Sequence, residues 1–545
     1  MTKLPQRQRA IQLVGPDELV FNDCKKVITP GPHQILCRVE VVGLCFSDLK
    51  LLKQFSSHVR KSEIVSGIEL SILREIPSYV PAEAPTVPGH EAVVTVVAVG
   101  PKVKIFKRGE RYLVQADYRW LKTKSSNGAF GYNFEGALQE YVLMDERVIT
   151  SPEGESMLLS FSEGLSASAA ALVEPWSCVE NAYAAKERQS LKADGQMLVV
   201  ADIEVDGDVF GNLFGRYGRP RQITWLSKSA APAGLDLPVE QVTDIPKLND
   251  ASYDDVVYFG SNAETVEALS EKVAAKGLFN IVLCGGRFAR EVVTQVGRVH
   301  YGGIRIVGTN GCDPAESMAY IPESREIRPG DKINVIGAGG PMGVMHVIRN
   351  ICHGTKGITV FAGDVDDDRL ETLTKIAEPL AKKNNVRYRS YNPAREKFGE
   401  TFDYTALMAP IPDLVAASVR SSAEHGIINI FAGIPATASG QIDLNAYIEK
   451  KLYFIGTSGS TIDDMKTVLT KVGAGRLNTN SVVAAVCGLE AAIEGIRAVE
   501  KRSIAGKIIV YPACKGLELV ELKKLDEGLW NKRAEEILLE TYQNS

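Results

Sequence analysis

Two rhythms of apolar and polar residues divide the chain. Over the first 150 residues, short β-branched runs such as 34–42 and 91–100 stand between Gly/Pro turns, which predicts an all-β, barrel-like region. From about residue 165 to about residue 490, short apolar runs alternate with amphipathic helical stretches, the pattern of βαβ units feeding a parallel sheet. A last strand-like run, 507–511, precedes a charged amphipathic helix expected from about Asp526 to Gln543. The C-terminus is therefore expected to close the β region.

The α/β stretch repeats itself. Asp254 and Asn280 match Asp403 and Asn429, 149 positions on and without a gap, and Gly308-Thr309-Asn310-Gly311 matches Gly456-Thr457-Ser458-Gly459, 148 positions on. Tandem related units are the natural reading, opening with strands at 197–201 and 333–337. The predicted organisation is a β domain at 1–190 closed by 495–545, a first α/β unit at 191–325 and a second at 326–494. At about 100–200 residues per domain, 545 residues are filled by three.

Only the second unit has a loop suited to a dinucleotide. Gly337-Ala338-Gly339-Gly340-Pro341-Met342-Gly343 links its first strand to a helical run. Such a turn lets the backbone approach a pyrophosphate, which then sits on the helix N-terminus. Counting back from Gly343, Gly340 takes the second glycine position and Ala338 the first, so the fit to GxGxxG is imperfect. The next strand ends at Asp364, where a carboxylate can accept bonds from ribose hydroxyls, and no Arg follows until Arg369. NAD is favoured over NADP. In the first unit the same place holds Asp202, Glu204, Asp206 and Asp208, which would repel a pyrophosphate, so no second dinucleotide is expected.

Composition narrows the class without naming a chemistry. Apolar residues make up 45% and charged residues 24%, with 62 basic against 67 acidic side chains. No apolar run approaches the ~18–20 residues of a membrane span, and no leader-like apolar segment follows the N-terminus. A cytoplasmic protein without a membrane partner is expected. Near-zero net charge without a basic run argues against nucleic acid. Nine cysteines, none in a CxxC pair, suggest reduced thiols, a few of them metal ligands.

Three segments carry candidate metal chemistry: Gly43-Leu44-Cys45-Phe46-Ser47-Asp48, Pro88-Gly89-His90-Glu91 and Leu172-Val173-Glu174-Pro175-Trp176. A thiolate, an imidazole and a carboxylate from separate segments make a three-ligand zinc site with an open position, as catalysis requires. Taken singly, Cys45 reads as a core residue, the Gly-His-Glu stretch as a turn and Glu174-Pro175 as a helix start. Their combination with the dinucleotide loop changes the weighing.

Together these motifs resemble the zinc-dependent medium-chain dehydrogenase/reductase family, with its GroES-like catalytic domain and Rossmann cofactor domain. The resemblance spans nearly the whole chain except 191–325. It is nearest to the L-sorbose 1-phosphate reductase-like branch, through stretches such as Gly340-Pro341-Met342-Gly343, Asn429-Ile430-Phe431-Ala432-Gly433 and Leu529-Trp530-Asn531. The fold it implies is α/β: a GroES-like β-barrel domain plus two tandem Rossmann-like doubly wound units. It implies Cys45, His90 and Glu174 as zinc ligands, Ser47 as proton relay, Asp48 orienting His90, and Glu91 as a carboxylate able to exchange with water on zinc. The dinucleotide would be held by Gly337, Gly339, Gly340, Pro341, Met342, Gly343 and Asp364.

The resemblance implies NAD-dependent oxidation of a secondary alcohol or reduction of a ketone, on a polyol, sugar or sugar phosphate. Lys50, Lys53, Arg119 and Lys122 are the candidates for holding a phosphate. The lobe at 115–134 lacks the four cysteines that bind a structural zinc in many relatives, so one catalytic zinc per chain is expected. Residues 51–88 insert a partly helical segment able to lie over the substrate. A homo-oligomer, a dimer, is expected where relatives pair sheets, at 451–456, although its counterpart 300–306 could pair with it inside one chain. The rival readings are a zinc-free medium-chain reductase and a non-catalytic NAD-sensing scaffold.

Overall fold

The structure is a computed structural model that describes residues 4–397, 399–457, 459–524 and 529–543. It divides into two compact units, 1–177 with 460–545, and 178–459.

The first unit is built on an eight-stranded sheet. Its path runs Leu158–Ser160, Arg111–Val114, Glu91–Val99, Gln34–Gly43, Lys507–Val510, Val483–Cys487 and Val520–Glu521, with Tyr141–Asp145 also paired to Gln34–Gly43. The expected closure by the C-terminal strand is present, because Lys507–Val510 lies antiparallel beside Gln34–Gly43. The α/β stretch ends earlier than residue 494, however. Val483–Cys487 pairs in parallel with Lys507–Val510, inside the barrel sheet. A short Val/Ala run reads alike in either kind of sheet, so periodicity alone misplaces it. The C-terminal helix runs Lys532–Gln543, and Asp526 lies outside the described residues. Within the 51–88 insertion, Ile64–Ser66 joins a three-stranded sheet with Asp117–Thr123 and Asn127–Ala129, and Leu70–Arg74 is a short helix.

The second unit holds two six-stranded sheets, each fully parallel. One is ordered Val239–Val242, Gln222–Ser227, Gln196–Ala201, Tyr253–Phe259, Val273–Val282, Arg305–Thr309. The other is ordered Arg387–Tyr391, Thr359–Gly363, Lys332–Ile336, Phe402–Leu407, Ser422–Ile430, Tyr453–Ile455. In chain order both read 3-2-1-4-5-6, the doubly wound arrangement that switches direction beside the first strand. The repeat detected at 148–149 residues is thus a repeat of topology, although Ser458 of its second copy lies outside the described residues.

The two sheets do not form separate cores. A single apolar cluster runs from Leu198, Val256 and Ile281 through Val292, Val296 and Ile306 to Ile442, Tyr447 and Phe454. Shared burial explains why tandem units expected as separate domains form one compact body. The same unit corrects the reading of all thiols as reduced: Cys284 and Cys312 form a disulfide, with Cα atoms 4.4 Å apart. They follow adjacent parallel strands whose ends pair as Val282 with Thr309. Their separation of 28 residues leaves no local motif for a sequence search to find.

Candidate active site

The ends of three neighbouring strands build the site in the first unit. Gly43 ends Gln34–Gly43 and stands opposite Glu91 on one side and Ile509 on the other. Cys45 follows two residues later and caps the helix Phe46–Gln54. His90 immediately precedes Glu91, and Lys507 begins the third strand.

Asp48 couples the helix to the imidazole. Its Oδ2 accepts from the Cys45 backbone N–H at 3.2 Å, closing the first helical turn, and its Oδ1 lies 2.9 Å from His90 Nδ1. A proton on Nδ1 directed at Asp48 leaves Nε2 as the lone-pair donor, as metal-binding histidines require. Burial disfavours a charged His90, yet the Asp48 carboxylate outweighs it and raises the imidazole well above its ordinary value. Ser47 Oγ lies 3.1 Å from Cys45 Sγ and 3.3 Å from His90 Nε2.

Cys45, His90 and Glu91 present ligand atoms that all lie within 4.8 Å of one another, the only such trio among the described residues. Glu91 is fully buried. One of its oxygens pairs with Lys507, while Oε2 is buried without a hydrogen-bond partner. A buried carboxylate with one oxygen bare, grouped with a thiol and an imidazole, fits a divalent cation, which would satisfy such donors. Gly43 is part of this fit, because a Cβ there would come within 2.3 Å of Glu91 Oε2. Burial opposes the charge on Lys507, but Glu91 and Cys45 beside it raise its pKa and hold it protonated.

Glu174 stands in the first turn of the helix Val173–Ala184, outside that trio. Trp176 anchors this turn through a bond from Nε1 to the Thr479 carbonyl, 3.2 Å. Burial, countered by His90 and reinforced by the negative charge of Glu91, pushes the Glu174 carboxyl up to about 7. Of the predicted ligands, the structure thus brings Cys45 and His90 together with Glu91, and Glu174 is not part of that trio.

Tyr132 and Lys507 were not among the residues predicted from sequence. The Tyr132 ring lies 5.8 Å from His90 and 5.2 Å from His58, its hydroxyl bonds Ser47, and the Arg60 guanidinium sits over it at 5.6 Å. His58 and Arg60 come from the 51–88 insertion, which thus reaches the neighbourhood of the predicted zinc ligands. Burial together with the positive charges of Arg60 and Lys50 pulls His58 down to about 4. Of the cations proposed for a phosphate, Lys53 is taken by Asp17 and Glu500, and Arg119 bonds the Ser460 carbonyl. The one available signal for Lys507 was a lone cation at the head of an apolar strand.

In the second unit, Gly337 adopts φ +80° and turns the chain into the helix Pro341–Cys352, whose N-cap is Gly340. A Cβ on Gly343 would lie 2.3 Å from the Gly337 carbonyl oxygen, so glycine lets helix and turn touch. At Gly340 a Cβ would face open space, its only neighbour within 4 Å being the Gly337 oxygen at 3.8 Å. That opening, above a helix start without acidic residues, fits a pyrophosphate. Asp364 accepts from the Gly339 N–H at 2.8 Å, at the carboxyl end of the second strand. In the other parallel sheet of this unit the corresponding helix instead starts at Asp208, and Asp202 accepts from the Tyr258 hydroxyl at 2.5 Å.

Comparison with known proteins agrees with this layout. Residues 31–153 match the alcohol dehydrogenase GroES-like domain. The uncharacterized protein YggP of Escherichia coli K12 is 28% identical over 252 residues, covering 40% of this chain and 59% of that protein. L-sorbose 1-phosphate reductase of Klebsiella pneumoniae is 25% identical over 234 residues, covering 39% and 56%. The chain thus spans less than two thirds of the length of these relatives. The structure of 2R,3R-butanediol dehydrogenase from Bacillus subtilis superposes with a TM-score of 0.53 at 14% identity, covering 93% of this chain and 99% of that one. Sequence and fold together describe an alcohol dehydrogenase GroES-like domain joined to doubly wound α/β sheets, a fold shared with that butanediol dehydrogenase.

Proposed function

We propose that the chain is a zinc-dependent oxidoreductase that moves a hydride between a nicotinamide dinucleotide and a secondary alcohol or ketone. The observation that carries this reading is the convergence of Cys45, His90 and Glu91, whose carboxylate is buried with one oxygen bare. Cys45, His90 and Glu91 would hold zinc, with Glu174 feeling the charge of His90 and Glu91. Zinc bound there would supply Lewis acidity toward a substrate oxygen, and the dinucleotide would supply or accept the hydride.

The chain's own side chains do the rest. Asp48 keeps His90 Nε2 turned toward the site, and Lys507 neutralises Glu91 so that a second carboxylate can lie near it. Ser47, bonded to Tyr132, carries a proton to or from the substrate hydroxyl. Gly337, Gly340 and Gly343 shape the turn that takes the pyrophosphate. Asp364, at the end of the second strand, favours NAD by accepting from ribose hydroxyls.

A polyol, sugar or sugar phosphate is the substrate class we favour. The likeness to L-sorbose 1-phosphate reductase supports it, as does the cationic neighbourhood of Arg60 and Lys50 around His58. The test is a screen of polyols, sugars and their phosphates that follows NADH absorbance, with metal analysis of the purified protein. Turnover lost in Cys45→Ala and about one equivalent of zinc are expected. Less than half an equivalent of zinc, with activity surviving EDTA, would refute the reading.

A further inference from the structure

The seam between the two parallel sheets has the form of a two-fold contact. Val293 stands opposite Gln441 in an antiparallel pair, flanked by Val292 opposite Ile442 and Thr294 opposite Gly440. Gln441 is the counterpart of Val293, 148 positions on. The same shift turns Val292 into Gly440 and Thr294 into Ile442, so it maps the pairing onto itself.

The relation recurs away from that centre. A Cβ on Gly308 would come within 2.8 Å of Ile448, and one on Gly456 within 2.6 Å of His300. Gly456 and Ile448 are the counterparts of Gly308 and His300 at the same shift. Asn445 brackets the Phe288 backbone with bonds of 2.9 and 3.0 Å, while its counterpart Gly297 packs on Pro435 and Ala436. Residue i touching j, and the counterpart of j touching the counterpart of i, is the signature of an isologous interface.

We propose that residues 196–309 act as a built-in partner subunit for the second sheet. They occupy the edge at which a second copy would associate, so the protein works as a single chain. The sheet edges support this. An uncovered edge strand invites pairing with another chain, and the sixth strands, Arg305–Thr309 and Tyr453–Ile455, are buried residue by residue at the seam. The opposite edges are defended: Arg387–Tyr391 presents exposed Arg387 and Arg389, and Val239–Val242 presents exposed Glu240 and Gln241. The partner is a second nucleotide fold that has kept the contact surface and lost the phosphate turn.

The test is a cysteine pair across the pseudo-dyad, Val293→Cys with Gln441→Cys. Directly opposed residues in an antiparallel pair have Cα atoms about 4.5–5.5 Å apart, within disulfide range. Both side chains are exposed, so the fold tolerates the change. Mild oxidation of the full-length double variant is expected to remove two free thiols per chain. Peptide mapping should place the bond between positions 293 and 441 of one chain, with mobility on non-reducing gels unchanged apart from compaction. Sedimentation of the wild type at micromolar concentration should give the mass of one chain. A covalent dimer, no bond between 293 and 441, or a wild-type mass of two chains would each overturn the proposal, and either single variant controls for capture of exposed Cys24.

Discussion

Replacing Glu187 with glutamine removes a negative charge from a buried junction of the two sheets. Glu187 Oε2 lies 2.6 Å from Arg305 Nε, its other oxygen pairs with Arg325, and the Tyr453 hydroxyl donates to it at 2.7 Å. Its side chain is only 3% exposed. Burial alone would raise this carboxyl, but Arg305 and Arg325 overcome it and lower the pKa from 4.5 to about 2. At 1.36 kcal/mol per pH unit, that difference is about 3 kcal/mol in favour of the charged form. Deleting one partner of a buried pair costs about 3–5 kcal/mol, because the cations left behind stay desolvated. Hydrogen exchange measured on peptides covering Arg305–Thr309 and Tyr453–Ile455 reads the loss where it occurs. Protection is expected to fall about a hundredfold or more in Glu187→Gln at pH 7. The pH dependence supplies a second reading. A depressed carboxylate stabilises the fold fully above pH 4.5 and progressively less as pH falls toward 2, so this part of the wild-type acid sensitivity should be missing from the variant. Protection within threefold of wild type, or an unchanged slope between pH 4.5 and 2, would refute the reasoning.

Other expectations concern the site in the first unit. Cys45→Ala should retain less than a tenth of an equivalent of zinc by elemental analysis while keeping the wild-type circular dichroism. Gly43→Ala should weaken zinc binding about 10–100-fold in competition with a chelator, because its Cβ would push on the Glu91 carboxylate. Lys507→Met should lower the stability of metal-free protein by about 3–5 kcal/mol in urea unfolding, with zinc restoring much of it by replacing the lost charge. The Glu174 carboxyl, pushed up to about 7, is disfavoured in its charged form. Metal-free protein should therefore lose stability as pH rises from 4.5 through 7, by at most about 3 kcal/mol, and Glu174→Gln should flatten that slope.

Local chemistry made part of this legible in the sequence. Cys45, Ser47 and Asp48 share one turn, and His90 and Glu91 are adjacent, so short motifs carry their relation; the glycine turn at 337–343 is equally compact. Lys507 lies more than 400 residues from Glu91 and meets it only through strand pairing, which no local pattern encodes. Cys284 and Cys312 meet for the same reason, and Glu187 lies more than 100 residues from both of its arginines. The repeat was visible as matched glycines and aspartates. Its consequence, one core in place of two, depends on apolar residues whose periodicity is the same whether a sheet packs on its own helices or on its neighbour.

The seam also does what a symmetric pair of identical chains cannot. In a homodimer, a substitution beside the two-fold axis appears on both sides at once, so an arginine near the axis is confronted by its own copy. Here the counterpart of Arg305 is Tyr453, and both bond the same glutamate. Joining the two folds in one chain lets each side of the contact vary independently, so that one half can specialise in holding while the other keeps the open turn of a nucleotide site.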